Sequence, residues 1–315
     1  MIEQFINDVD AGLSSTVKTL PSKYFYDEIG DALFVEIMHA PEYYLTRAEL
    51  EIFQAKTLQM IDILGLKRDT YFELIELGAG DGLKTKELLR MLERKLFNFD
   101  YFPVDISQNA LDKLEKNFAR ELPRVSLKKM QGDYFEVIES LKTSNHPKVV
   151  LFLGSNLGNM SDEEATEFIF KLSENLNVGD KLLLGVDLIK DSAIVLPAYD
   201  DKEGITAAFN INLLNRINKE LGGDFDVNQF KHQPEYTEKE GIAKSYLMSL
   251  ANQEVKIEKL GKTFRFEAGE KIATEISRKY NDQIIQQIIQ NSAFEMVDKI
   301  TDSKNYFSNY ILKRI

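Results

Sequence analysis

Hydrophobic and polar positions alternate along the chain in a way that predicts strands and helices in turn from residue 71 onward. Short apolar runs rich in β-forming residues predict strands at 71–77, about 99–104, about 125–130, 149–154 and 181–187. Helical spacing fills the gaps, as in residues 107–120 and in residues 162–176, which follow a capping box of Ser161 and Glu164. Such alternation predicts a parallel sheet covered by helices.

The pattern changes after residue 187. A long amphipathic helix is predicted at 205–221, and residues 245–270 have the period of two that is typical of antiparallel strands. A helix at 281–292 and a terminal hairpin then resume the sheet. We therefore predict two domains, one formed by residues 1–55 plus 190–280 and the other by residues 56–189 plus 281–315.

The segment before the sheet contains two predicted helices. Leu33, Phe34 and Ile37 recur at helical spacing in the first. Thr46, with Glu49 three residues later, has the pattern of a capping box and predicts a second helix from Arg47.

A glycine-rich loop follows the first strand of the sheet. In the sequence ELGAGDGLK, Glu76 is followed by glycines at 78, 80 and 82 and then by Lys84. The dinucleotide motif G-x-G-x-x-G fails because position 83 is leucine, and the P-loop motif fails because that leucine separates the last glycine from the lysine. The remaining pattern resembles motif I of the class I S-adenosylmethionine methyltransferases. A glycine turn in another kind of α/β protein is the alternative.

Two aspartates follow the next two strands, at the edge where such sheets bind ligands. Asp105 comes 23 residues after Gly82, close to the offset of about 20 expected for a carboxylate that accepts ribose hydroxyls. Asp133, with Tyr134 beside it, is placed to meet an adenine ring. For Asp105 the ligand role is favoured over a turn, whereas for Asp133 both interpretations stay open.

Composition limits the possible partners. The chain has 315 residues, 43% hydrophobic and 29% charged, no apolar run long enough for a membrane span, and a net charge of −12 that disfavours nucleic acid. It contains no cysteine, and its three histidines are far apart, so no metal site is predicted. We expect a cytoplasmic, monomeric enzyme that acts on a small molecule and has neither a membrane nor a nucleic-acid partner.

The ordered segments identify a closer resemblance. YFYDEIGDALFVEI, PEYYLTRAE, ELGAGDGLKT, PVDIS, FLGSNLGNM, GVDLIKD, AYDDKEGITAAFNINLLNRINKELGGDFD and TEISRKY match landmarks of the L-histidine Nα-methyltransferases of ergothioneine biosynthesis over nearly the whole length. These enzymes use S-adenosylmethionine to trimethylate the α-amine of histidine, giving hercynine. The resemblance implies an α/β class I methyltransferase fold, with a Rossmann-like seven-stranded sheet and an inserted α+β substrate-binding domain.

The resemblance also implies roles for individual residues. Cofactor binding falls to Gly78, Gly80 and Lys84 at the methionine end, Asp105 at the ribose, and Asp133 with Tyr134 at the adenine. Substrate binding falls to Asn159 and Tyr199 at the carboxylate, Tyr43, Glu275 and Ser277 at the imidazole, and Tyr26 near the amine. From the residues alone, Glu275 is predicted to be a solvated helix residue, and only the resemblance reverses this.

Two points about the substrate site remain hypotheses. Tyr26, directly or through water, is expected to orient the amine and assist proton loss. Ser245 stands where the family commonly has methionine, which predicts a smaller and more polar wall beside the imidazole. Two alternative functions stay open: methylation of another amino acid or small amine, and binding of S-adenosylmethionine without catalysis.

Overall fold

The computed structural model describes residues 2–315. Its helices are α1 (Ile2–Ser14), α2 (Glu28–His39), α3 (Leu45–Leu64), α4 (Thr85–Arg94), α5 (Gln108–Glu121), α6 (Tyr134–Ser140), α7 (Asp162–Glu174), α8 (Ser192–Val195), α9 (Ile205–Leu221) and α10 (Asp282–Ile289). Its strands are β1 (Phe72–Leu77), β2 (Phe99–Asp105), β3 (Ser126–Leu127), β4 (Met130–Gln131), β5 (Lys148–Phe152), β6 (Lys181–Asp187), β7 (Phe230–Glu235), β8 (Ile242–Ser249), β9 (Gln253–Ile257), β10 (Lys262–Phe266), β11 (Lys271–Arg278), β12 (Phe294–Thr301) and β13 (Phe307–Arg314).

Contacts divide the chain into two compact units. One, here called the sheet unit, is Leu45–Ile189 with Arg278–Ile315, and the other, the insertion unit, is Met1–Tyr44 with Lys190–Ser277. The predicted boundary at residue 55 lies inside α3, which belongs wholly to the sheet unit.

The sheet unit contains a mostly parallel sheet in the order β12-β13-β6-β5-β1-β2-β3, with β4 also paired to β2. β6, β5, β1 and β2 run parallel, whereas β13 pairs antiparallel with both β6 and β12. The predicted Rossmann-like α/β fold with a terminal hairpin is therefore confirmed.

Both faces of this sheet are buried. Successive side chains of a strand point to opposite sides, so the apolar residues of one strand enter two different cores. On β1, Ile75 and Leu77 pack into a core that includes Phe168 of α7, and Leu74 packs into a second core that includes Ile52 of α3. Helices thus cover both faces, and the strand ends form the edge at which ligands of such sheets bind.

The insertion unit has its own core and two small sheets. β7 pairs antiparallel with β8 in the sheet ordered β11-β8-β7, and β9 pairs antiparallel with β10. α9 buries Phe209 and Leu213 in this core and ends at Leu221, as predicted. Gly222 caps it with a φ of +67°, which suits glycine.

Local predictions met different outcomes. The capping box of Ser161 and Glu164 is confirmed, since the side chain of each accepts the other's backbone N–H. The strand predicted at 125–130 is interrupted, since only β3 and β4 form pairs there. Within residues 2–315, none of the helices combines the length and the apolar character that crossing a membrane requires.

Candidate functional site

The glycine loop between β1 and α4 requires glycine at each predicted position. Gly78, Gly80 and Gly82 have φ angles of +74°, +53° and +65°, which side chains of L-residues rarely adopt. A Cβ at Gly78 would stand 2.6 Å from the Tyr134 hydroxyl. The N–H of Gly78 donates to the carbonyl of Val104 at 2.9 Å, which fixes the loop beside the end of β2.

Glu76 holds the base of this loop. Its buried carboxylate accepts hydrogen bonds from Thr85 Oγ1 at 2.7 Å and from the Tyr101 hydroxyl. Burial raises the pKa of Glu76 to about 7, although both hydrogen bonds act to lower it. The side chain therefore ties the end of β1 to the first turn of α4 and to β2.

Asp105 lies at the carboxyl end of β2 and faces the glycine loop. Its Oδ2 accepts the N–H of Gly80 at 3.1 Å and its Oδ1 accepts the N–H of Ser107 at 2.9 Å. A carboxylate has about four acceptor positions, so capacity remains for hydroxyl groups of a ligand. The structure thus brings the predicted ribose carboxylate and the loop together.

Asp133 and Tyr134 lie at the start of α6, after β4. The Asp133 side chain is exposed. The Tyr134 ring packs edge-on against Phe152 with centroids 5.5 Å apart, and its hydroxyl lies against Gly78. Burial raises the pKa of Tyr134, so the hydroxyl stays protonated and can donate.

Lys84 is paired with a carboxylate that the sequence analysis assigned elsewhere. Its Nζ lies 2.5 Å from Oε2 of Glu49, which is fully buried. The predicted capping box of Thr46 and Glu49 is wrong, because α3 already begins at Leu45 and Glu49 faces inward. Glu49 lies among buried apolar residues of α3. The helical spacing of those apolar residues in the sequence is the signal that could have indicated its burial.

The loop after β5 also reaches this region. Gly154 follows β5, and Ser155 has a φ of +60° while its Oγ accepts the N–H of Asp187 at 3.0 Å. The Asn156 amide nitrogen lies 3.1 Å from where a Cβ at Gly78 would stand, so Asn156 contacts the glycine loop although the sequence analysis did not select it. Asn159, the predicted residue, is exposed three positions later.

In the insertion unit, Glu275 and Ser277 lie on β11. The expectation from the residues alone that Glu275 belongs to a solvated helix is wrong. As residues i and i+2 of a strand, the two side chains share one face. Ser245 of β8 is buried, and its Oγ lies 3.4 Å from Oε2 of Glu275, so it stands beside the predicted imidazole ligand.

Aromatic packing connects the predicted tyrosines of this unit. Phe34 packs against Tyr26 and Tyr43 with centroid distances of 5.6 and 6.4 Å. Tyr26 also packs on Phe209 of α9 at 5.8 Å and is 44% exposed. The next residue of α9, Asn210, lies 2.9 Å from the hydroxyl of Thr274, which precedes Glu275.

Tyr199 is buried and is held through its backbone. Its carbonyl accepts a hydrogen bond from His232 Nε2 at 2.8 Å, which fixes the tautomer of that ring. His232 is also buried, and its Nδ1 has no hydrogen-bond partner within residues 2–315. Burial lowers the pKa of His232 below its usual 6.5, which favours the neutral ring at pH 7.

Comparison with known proteins gives one consistent result. Residues 5–314 match the family described as histidine-specific methyltransferase, SAM-dependent. The histidine N-alpha-methyltransferase of Mycobacterium tuberculosis is 35% identical over 300 residues, covering 95% of this chain and 92% of that protein. The enzyme of the same name from Mycolicibacterium smegmatis is 34% identical, covering 97% and 93%. Ergothioneine biosynthesis protein 1 of Schizosaccharomyces pombe is 31% identical, covering 94% of this chain and 39% of that protein.

Proposed function

The chain belongs to the SAM-dependent histidine-specific methyltransferases, and we propose on this basis that it trimethylates the α-amine of L-histidine to give hercynine. The match spans nearly the whole chain, and the relatives named for this activity are similar over more than nine-tenths of their own length. The substrate is thus a small molecule, and the cofactor is S-adenosylmethionine.

The observation that carries the choice of histidine is the polar surroundings of Glu275. Its carboxylate is half-buried on β11, with the Ser245 hydroxyl 3.4 Å away and Ser277 on the same face. Carboxylate and hydroxyl groups can accept from and donate to the two imidazole nitrogens. A polar site that is at least partly buried rejects apolar side chains, because they would leave its groups unpaired.

The residues of the sheet unit fit the cofactor. The glycine loop exposes backbone at Gly80, where a Cβ would have no heavy atom of the described residues within 4 Å apart from its own residue and its chain neighbours, and the Asp105 carboxylate stands beside it. We assign the methionine end to Gly78, Gly80 and Lys84, and the ribose to Asp105. The adenine is assigned to Asp133 and Tyr134. When bound, S-adenosylmethionine supplies an electrophilic methyl group on a sulfonium.

The protein's contribution is placement and proton removal. An ammonium group has no lone pair, so the amine of histidine must lose a proton before each transfer. We assign the carboxylate of histidine to Asn159 and Tyr199, the imidazole also to Tyr43, and the amine to Tyr26. Holding the amine in line with the methyl group supplies most of the rate gain that such a displacement needs.

Two further features belong to this proposal. We propose that the enzyme is a monomer, which size-exclusion chromatography with light scattering would check. We also propose that it acts in the cytoplasm without a nucleic-acid partner, since its net charge of −12 repels phosphates.

Mass spectrometry tests the function. Purified protein is incubated with S-adenosylmethionine and the twenty amino acids, first mixed and then one at a time. The proposal expects histidine alone to gain methyl groups and to proceed to the trimethyl product. If another amino acid is methylated instead, that amino acid and not histidine is the substrate. Cofactor binding without any methylated product would favour a non-catalytic binder.

A further inference from the structure

Glu49 is a buried carboxylate at the ligand-binding edge of the sheet unit. Its Oε2 accepts from Lys84 Nζ at 2.5 Å and from the N–H of Gly154 at 2.9 Å, and its Oε1 accepts from Asn309 Nδ2 at 3.1 Å. A Cβ at Gly185 would overlap Oε1, so the glycine of β6 leaves the space that this carboxylate fills. One side chain of α3 therefore binds three other segments of the sheet unit.

Among the three groups that donate to Glu49 within the described residues 2–315, only Lys84 carries a charge. The other two donors are neutral amides, and an isolated buried charge is strongly unfavourable. The Glu49 side chain is fully buried, whereas that of Lys84 is 20% exposed. One N–H of the lysine ammonium donates to Glu49, and two remain for an acceptor that approaches from the exposed side.

Lysine without a fixed partner is a poor positioning group, because its four-carbon stem has many rotamers that binding must freeze. Glu49 removes this freedom before the ligand arrives. Through the N–H of Gly154 it also fixes the loop after β5, whose backbone passes close to the ammonium: a Cβ at Gly154 would lie 3.4 Å from Lys84 Nζ.

We propose that Glu49 is a positioning residue for the α-carboxylate of the cofactor. It holds the Lys84 ammonium in the orientation that binds this carboxylate, and it holds the neighbouring loop in register with it. The inference rests on the proposed function, because it needs Lys84 to bind the methionine end of S-adenosylmethionine.

Glu49→Gln tests this role with little change of shape. The NH₂ group of the new glutamine would take the place of Oε1, opposite Asn309, and it needs a hydrogen-bond acceptor there. Asn309 Oδ1 has no hydrogen-bond partner within residues 2–315, so a turned Asn309 amide supplies one. Isothermal titration calorimetry is run with two ligands. S-adenosylhomocysteine carries the amino-acid end, and 5′-methylthioadenosine lacks it.

We expect Glu49→Gln to weaken S-adenosylhomocysteine about 10-fold or more, which is about 1.4 kcal/mol, and to leave 5′-methylthioadenosine unchanged. The KM for histidine at saturating cofactor should also be unchanged. Glu121→Gln is the matched control, since it removes the acidic partner of Lys86 at 3.4 Å, two residues from Lys84. It should alter neither ligand.

Equal weakening of both ligands would overturn the inference, as would unchanged or tighter binding of S-adenosylhomocysteine. If Glu49→Gln does not fold, Glu49→Asp decides. It keeps the charge but withdraws the carboxylate by one methylene, so positioning predicts weaker S-adenosylhomocysteine binding, whereas simple charge balance predicts wild-type affinity. A wild-type protein that binds neither ligand would instead refute the proposed function.

Discussion

Gly78→Ala tests whether the glycine loop is shaped by its contact with Tyr134. A left-handed backbone costs an alanine about 1–2 kcal/mol. At Gly78 the added Cβ would also stand 2.6 Å from the Tyr134 hydroxyl, and such overpacking adds about 1–3 kcal/mol. Gly80→Ala is the control for strain alone, because its φ is +53° and its Cβ would meet no heavy atom of the described residues within 4 Å beyond its own residue and its chain neighbours.

The expected cost is therefore about 2–5 kcal/mol for Gly78→Ala and about 1–2 kcal/mol for Gly80→Ala, measured as the free energy of unfolding in urea. Tyr134→Phe removes the hydroxyl that the new Cβ meets, so the double variant Gly78→Ala/Tyr134→Phe should regain most of the difference. Equal costs at the two glycines, or no recovery in the double variant, would refute this reasoning.

Three further predictions concern single side chains. Glu275→Gln should lower kcat/KM for histidine on the order of 100-fold, because the amide disrupts the pairing of this side chain with the imidazole of histidine. Calorimetry should show unchanged S-adenosylhomocysteine binding, and an equal loss of cofactor affinity would contradict the assignment. Burial raises the pKa of Glu76 from 4.5 to about 7, so its ionisation destabilises the fold increasingly as pH rises between these values. In urea unfolding, the stability of Glu76→Gln relative to wild type should rise by on the order of 3 kcal/mol as the pH increases across this window. A stability difference that does not change with pH would show that Glu76 does not titrate in this way. The lowered pKa of His232 means that the unfolded chain binds a proton that the folded chain rejects, so wild-type stability falls as pH drops below about 6.5. His232→Asn should flatten the dependence of the unfolding free energy on pH there, and an unaltered slope would show that other groups cause it.

The fold was largely predictable because its central strands are buried on both faces and appear as continuous apolar runs. The edge strand was not. Lys128 and Lys129, which separate β3 from β4, lie inside the predicted run, and their side chains pair with Asp100 and Asp112. Charged residues of this kind are common on edge strands, where they limit pairing with other chains.

The candidate site was predictable where local sequence determines the backbone. The glycines and Asp105 lie in one loop and at the end of the adjoining strand, so spacing sufficed. The pairing of Glu49 with Lys84 was not predicted, because the two residues are 35 positions apart and a local capping pattern offered a competing explanation for the glutamate. The strand position of Glu275 was not predicted from the residues for a related reason. β11 lies beside β8, and the contact of Glu275 with Ser245 joins residues that are 30 positions apart.

Polar side chains are buried beside several of the proposed binding residues. Glu49, Ser245 and His232 are each at most 5% exposed, and burying such groups costs free energy that hydrogen bonds only partly return. Each lies against a residue that the family resemblance assigns to a ligand: Lys84, Glu275 and Tyr199, respectively. Apolar residues would fill the same volumes at lower cost, and His232 even leaves one ring nitrogen without a hydrogen-bond partner inside residues 2–315. At these three positions the sequence departs from the most stable core beside a proposed binding residue, as expected when function rather than stability selects the side chain.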